Sequence, residues 1–147
     1  MMLAKEKQNY ERELKILQNV NHPFIIRYID EFIYDKDYLC IVTQYASGGD
    51  LDTKMENRKE EPFSEEEAMN YFTMILIGLH SLHSKKIYHR DLKPANILLD
   101  SLSDGTEILK IGDFGISKAA DLVSMKLSKT SFFGTLAYMA PESLDGK

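Results

Sequence analysis

Apolar and polar positions change period several times along the chain, and each change predicts an element. Between residues 3 and 20, Tyr10, Leu14 and Leu17 recur at spacings of four and three, with Glu6, Glu11, Arg12, Glu13 and Lys15 between them. That spacing predicts a helix. His22-Pro23 ends it, because the residue before proline is pushed out of helical geometry. Two aromatic-rich apolar runs follow, Phe24 to Tyr34 and Tyr38 to Tyr45, separated by Asp35-Lys36-Asp37, and they predict a hairpin. Ser47-Gly48-Gly49 breaks the strand pattern, and Asp50 can cap a short helix.

The helix from Ser64 to Ser84 is the best-marked element. Ser64 followed by Glu67 is a capping box, and Glu65, Glu66 and Glu67 suit the positive end of the helix dipole. Ala68, Phe72, Ile75, Leu79 and Leu82 form one apolar stripe, and Met69 and Leu76 add a second. A helix apolar around so much of its circumference is expected at the centre of a core. After Lys85-Lys86 the pattern shortens to two strands, Ile97 to Leu99 and Ile108 to Ile111, joined by the turn-rich Ser101 to Glu107. From Gly112 onward little periodicity remains.

Composition narrows the classes of function. With 147 residues, 44% hydrophobic and 28% charged, the chain has the make-up of one ordinary globular domain. Its net charge of −5, with no basic block, argues against nucleic-acid binding. The longest apolar stretch, Met74 to Leu79, is too short for a membrane span, and the N-terminus lacks the apolar centre of a signal peptide. Cys40 is the one cysteine, so no intramolecular disulfide forms. These features predict a cytoplasmic or nuclear protein. His80 and His83 share a helix, yet no cysteine or carboxylate nearby completes a zinc set.

Three short strings carry the chemistry. His89-Arg90-Asp91-Leu92-Lys93-Pro94-Ala95-Asn96 comes first, Asp113-Phe114-Gly115 follows beyond the two short strands, and Ala140-Pro141-Glu142 comes last. Each alone is weak, since a lone Asp or Asn near a turn is usually a cap. In this order and in these loop and strand contexts they match the catalytic loop, metal-binding and closing motifs of protein kinases. The chain resembles the eukaryotic protein kinases.

That resemblance implies an ATP- and Mg-dependent transfer of phosphate, a reaction that needs positioning and charge neutralisation more than covalent help. Asp91 would orient the incoming hydroxyl and take its proton, Asn96 and Asp113 would supply oxygens to Mg, and Lys93 would steady the transferred phosphate. Leu39 to Asp50 looks like the last small-lobe strand running into the hinge. Thr43 would then be the gatekeeper, Gln44, Tyr45 and Ala46 would offer backbone groups to adenine, Leu98 would floor the pocket, and Asp50 would lie near the ribose. Gln44 replaces the glutamate usual in the family. Glu13 falls where the glutamate of helix C belongs.

Lys93-Pro94, with Gly134-Thr135 before Ala140-Pro141-Glu142, looks like the serine/threonine type, in which Thr135 supports Asp91 and Lys93. Leu136 departs from the proline common after that threonine. Arg90 is the arginine that a phosphorylated activation loop pairs with. Ser131 stands at the primary activating position, with Thr130 and Ser128 beside it, which implies an upstream kinase. Lys110-Ile111-Gly112-Asp113-Phe114-Gly115-Ile116-Ser117-Lys118 looks most like the NIMA-related kinases.

The fold class implied is α+β, a two-lobed kinase-like fold truncated at both ends. Residues 1–45 would be a remnant of the small lobe (helix C, two strands and the hinge), and 46–147 the large lobe as far as the end of the activation segment. No G-x-G-x-x-G and no strand lysine precede Glu13. The expectation is therefore that these residues alone are inactive. The competing expectation is a catalytically dead kinase-like fragment that serves as a binding or regulatory module.

Overall fold

The computed structural model of the protein describes residues 18–35, 38–59, 61–89, 91–113, 137–138 and 141. Its elements run β1 (Tyr28–Tyr34), β2 (Tyr38–Thr43), α1 (Leu51–Asn57), α2 (Glu65–Ser84), a single 3-10 turn at Pro94–Asn96, β3 (Ile97–Ser101) and β4 (Glu107–Ile111). The strands form two separate antiparallel ladders, β1 with β2 and β3 with β4.

The predicted hairpin is present, but it begins at Tyr28 rather than Phe24. Residues 24–26 leave it to lie along β4 instead, with Ile26 N donating to Ile111 O at 2.8 Å and Ile111 N donating to Phe24 O at 2.9 Å. A helix continuing to residue 20 is also corrected, because residues 18 and 19 form a turn. The helical stretch predicted before them lies outside the described residues.

β3 follows the two-residue alternation of a half-buried strand, whereas β4 is buried on both faces from Ile108 to Ile111. Ile97 faces Ile111 and Leu99 faces Leu109, and all four are buried. The opposite face carries Leu98, Asp100, Ile108 and Lys110. Below the first face lies α2, whose Leu82 is fully buried among Ile25, Leu99 and Ile111.

The capping box of α2 is made in full: Glu67 N donates to Ser64 Oγ, and Ser64 N donates to the Glu67 carboxylate. Its buried stripe is displaced from the one expected. Tyr71, Met74, Ile75, Leu79 and Leu82 pack on the core, whereas Ala68 and Phe72 are exposed. Gly78 decides this. A Cβ there would stand 2.8 Å from Ile111 Cδ1 and 2.9 Å from Phe24 O, so the helix presses its bare backbone onto β4. Met69 and Leu76, the second stripe, are also exposed, so α2 is covered on one side only among the described residues.

Candidate functional site

The segment leading into α1 is tied to β3 at two glycines. Gly48 N donates to Leu99 O at 2.8 Å, and Leu99 N donates to Gly49 O at 2.9 Å. Asp50 continues that approach with an antiparallel bridge to Leu98. Two of the residues predicted around the adenine and ribose, Asp50 and Leu98, are therefore neighbours. The Asp50 carboxylate accepts from Thr53 N at 2.8 Å and Thr53 Oγ1 at 2.9 Å, which caps α1 and holds Asp50 below the usual carboxylate range.

The catalytic-loop residues are assembled around one buried amide. Asn96 is 4% exposed, and its Nδ2 donates to Asp91 O at 2.7 Å and to Asp91 Oδ2 at 3.2 Å. Lys93 Nζ lies 3.3 Å from the same Asp91 Oδ2. The donors of Asn96 are thus turned to Asp91, and its oxygen is the atom of the amide left for a hard cation. Asn96 O also accepts from Gly112 N at 2.9 Å, which ties the loop to the residue before Asp113.

Asp113 is exposed and has φ +49, a left-handed conformation uncommon outside glycine. The buried His89 provides a second tie: its Nδ1 accepts from Asp91 N at 3.3 Å, so Nε2 carries the proton and donates to Gly112 O at 2.7 Å. His89 and Gly112 therefore join the catalytic loop to the start of the Asp-Phe-Gly string. The sequence signals His89 only as part of its motif.

The oxygens of Asn96 and Asp113 fit magnesium, which takes one or two protein oxygens and fills its remaining positions with water and phosphate. No cluster of three His, Cys, Asp or Glu exists among the described residues, so a closed all-protein metal cage is not present there.

In the segment expected to form the hinge, Thr43 ends β2 and is exposed, Ala46 is half-buried, and Tyr45 is 83% exposed. Gln44 N donates to Arg27 O at 2.8 Å, and its side-chain Nε2 donates to Asp100 Oδ2 at 2.9 Å. Lys110, 6% exposed, shares the face of Asp100 and donates from Nζ to Pro23 O at 2.8 Å. Burial lowers the lysine's pKa, and Asp100 acts in the opposite sense by favouring the charge. Asp100 and Lys110 carry no signal in the sequence, because their partners are far away along the chain. Glu13, Arg90, Ser128, Thr130, Ser131 and Thr135 lie outside the described residues.

A second polar group sits away from this site. Lys54 of α1 contacts Glu107 of β4 at 2.5 Å and Tyr71 of α2 at 2.8 Å, and the Tyr71 hydroxyl also donates to Glu107. It fastens α1, α2 and β4 together. No helix among the described residues is long and apolar enough to cross a membrane.

Comparison with known proteins agrees with this geometry. The family model described as "Protein kinase domain" matches residues 2–147. Serine/threonine-protein kinase nekl-2 of Caenorhabditis elegans is 40% identical over 99% of this chain and 41% of its own length. Serine/threonine-protein kinase Nek8 of Danio rerio is also 40% identical, over 99% of this chain and 20% of its own. The chain thus spans well under half the length of these relatives. Among solved structures, that of Rad53 1-466 in complex with AMP-PNP superposes with a TM-score of 0.71 at 33% identity, covering 94% of this chain and 32% of the other. The chain belongs to the protein kinase domain family, with serine/threonine kinases of the Nek group among its relatives.

Proposed function

We propose that the protein transfers the γ-phosphoryl group of ATP to serine and threonine hydroxyls of other proteins. The observation that carries this reading is the gathering of Asp91, Lys93 and Asn96 on a loop bonded through Gly112 to the backbone beside Asp113. Asp91 orients the substrate hydroxyl and takes its proton as the oxygen bonds to the γ-phosphorus. The bond to the bridging oxygen breaks, and ADP leaves with that electron pair. Lys93 holds positive charge beside the transferred group. Asn96 and Asp113 would hold magnesium, which when bound neutralises charge on the phosphates.

In this reading residues 1–45 end the small lobe and 46–147 begin the large one. Thr43 backs the adenine pocket, residues 44–46 meet the base, and Thr135 supports Asp91 and Lys93. Glu13 occupies the helix C position. Phosphorylation of Ser131, or of its neighbours Thr130 and Ser128, by an upstream kinase would pair with Arg90 and order the activation loop. The lone cysteine, Cys40, supports a cytoplasmic or nuclear setting.

The test is transfer of labelled phosphate to a generic basic protein, using the protein expressed from its own gene. Asp91→Asn and Asp113→Ala are each expected to lower transfer about a hundredfold or more. Equal signal from wild type and both variants would refute the enzyme reading. It would favour the alternative, a kinase-like module that binds without catalysing.

A further inference from the structure

The hinge glutamine has a partner that its sequence position does not suggest. Gln44 is fastened at two points: its backbone N–H bonds Arg27 O, and its side chain bonds Asp100 on β3. Asp100 shares a sheet face with Lys110, and Lys110 bonds Pro23 O. The chain from Pro23 to Arg27 runs between these two attachments, and its middle lies beside β4 through the hydrogen bonds of Ile26 and Ile111. One face of this sheet therefore anchors both residue 44, through Asp100, and Pro23, through Lys110.

We infer that the Gln44–Asp100 hydrogen bond is a latch that fixes the hinge backbone at residues 44–46 over Leu98. Gln44 and Asp100 are thereby positioning residues for the adenine ring. This rests on the ATP reading above. The amide is suited to the role: a carboxamide donates to Asp100 without setting a second negative charge beside it. Tyr45 and Ala46 follow directly, so any movement of Gln44 moves the backbone groups assigned to adenine. Leu98 is two residues from Asp100 on the same face, so the latch fixes the separation between the pocket's hinge wall and its floor.

The experiment has two readouts on the purified full chain. Amide hydrogen exchange at residue 44, followed by NMR without nucleotide, reports the latch itself. The dissociation constant for a fluorescent ATP analogue with magnesium reports its consequence. Gln44→Leu and Asp100→Ala are each expected to speed exchange about tenfold and to weaken the analogue several-fold. The double variant is expected to be no worse than either single one. Asp100→Asn, which keeps an acceptor oxygen for Gln44, is expected to restore most of both.

Unchanged exchange in the single variants, or effects that multiply in the double, would overturn the latch. Faster exchange with unaltered affinity would overturn its role in positioning adenine. Failure of the wild type to bind the analogue counts against the kinase reading, and exchange at residue 44 still decides the latch.

Discussion

Gly48 offers the sharpest test of how the hinge is held against the catalytic sheet. A Cβ at this position would lie 2.8 Å from Leu99 Cβ, 2.9 Å from Leu99 O and 3.2 Å from Leu99 C. Non-bonded carbon atoms settle at about 3.5–4.0 Å, so Gly48→Ala demands a separation of close to an ångström. None of the three atoms can rotate aside, and β3 is held by its pairing with β4. The hinge must move, which stretches the 2.8 Å bond from Gly48 N and the 2.9 Å bond to Gly49 O. Overpacking costs about 1–3 kcal/mol and each weakened hydrogen bond about 1, so a total of roughly 2–5 kcal/mol is expected.

Gly49 provides the internal comparison. Its φ is +78 and a Cβ there meets nothing within 4 Å, so Gly49→Ala incurs only the left-handed backbone penalty of about 1–2 kcal/mol. Thermal unfolding followed by circular dichroism should rank the variants, with Gly48→Ala lowering the midpoint by roughly 5–15 °C. Affinity for an ATP analogue should fall in parallel, since the displaced residues lead straight into the hinge. Equal stability of the two variants would refute the close-approach argument, for then the contact with Leu99 sets nothing.

Leu82→Ala removes the best-buried side chain of α2 and should cost about 2–5 kcal/mol in urea unfolding, while Phe72→Ala on the exposed face should cost far less. The Lys54–Tyr71–Glu107 group should make stability depend on pH at both extremes. Burial raises Glu107, but the bonds from Lys54 and Tyr71 outweigh it and leave the carboxyl low; its contribution is complete above 4.5 and is lost as pH falls through the lower folded value. Burial lowers Lys54, yet Glu107 and Tyr71 leave it raised, so its contribution is complete below 10.5 and is lost as pH climbs through the higher folded value. Glu107→Gln should therefore be destabilised at neutral pH by about 1 kcal/mol, with the gap to wild type closing in acid; a gap independent of pH would refute the ion pair's part. Asn96→Leu should abolish the magnesium dependence of nucleotide binding, and binding that still responds to magnesium as in wild type would remove Asn96 from the metal set.

Local chemistry was readable wherever the cause lies within a few residues. The capping box of Ser64 and Glu67, the Asp50 cap and the two short strands β3 and β4 all depend on short-range geometry, and each is present. The motif around Asp91 and Asn96 was readable through its resemblance to the protein kinases, and five residues of loop place the Asn96 amide against the Asp91 carboxylate. The buried face of α2 was readable only in part: Ile75, Leu79 and Leu82 pack on the core as expected, and Ala68 and Phe72 do not. Periodicity permits several stripes on a helix so rich in apolar residues, and the choice was made by Gly78, through the close approach of Phe24 and Ile111.

Residues 24–27 were likewise ambiguous, because an apolar run fits a hairpin strand as well as a segment laid beside β4. The sequence by itself determined the capped helix from Ser64 and the two short strands after it, since these are properties of neighbouring residues. The tertiary structure alone decided that Gln44 meets Asp100, that Lys110 meets Pro23 and that Gly48 meets Leu99. Those contacts join positions dozens of residues apart, and only the packing of strands and helix around a shared core brings them within hydrogen-bonding distance.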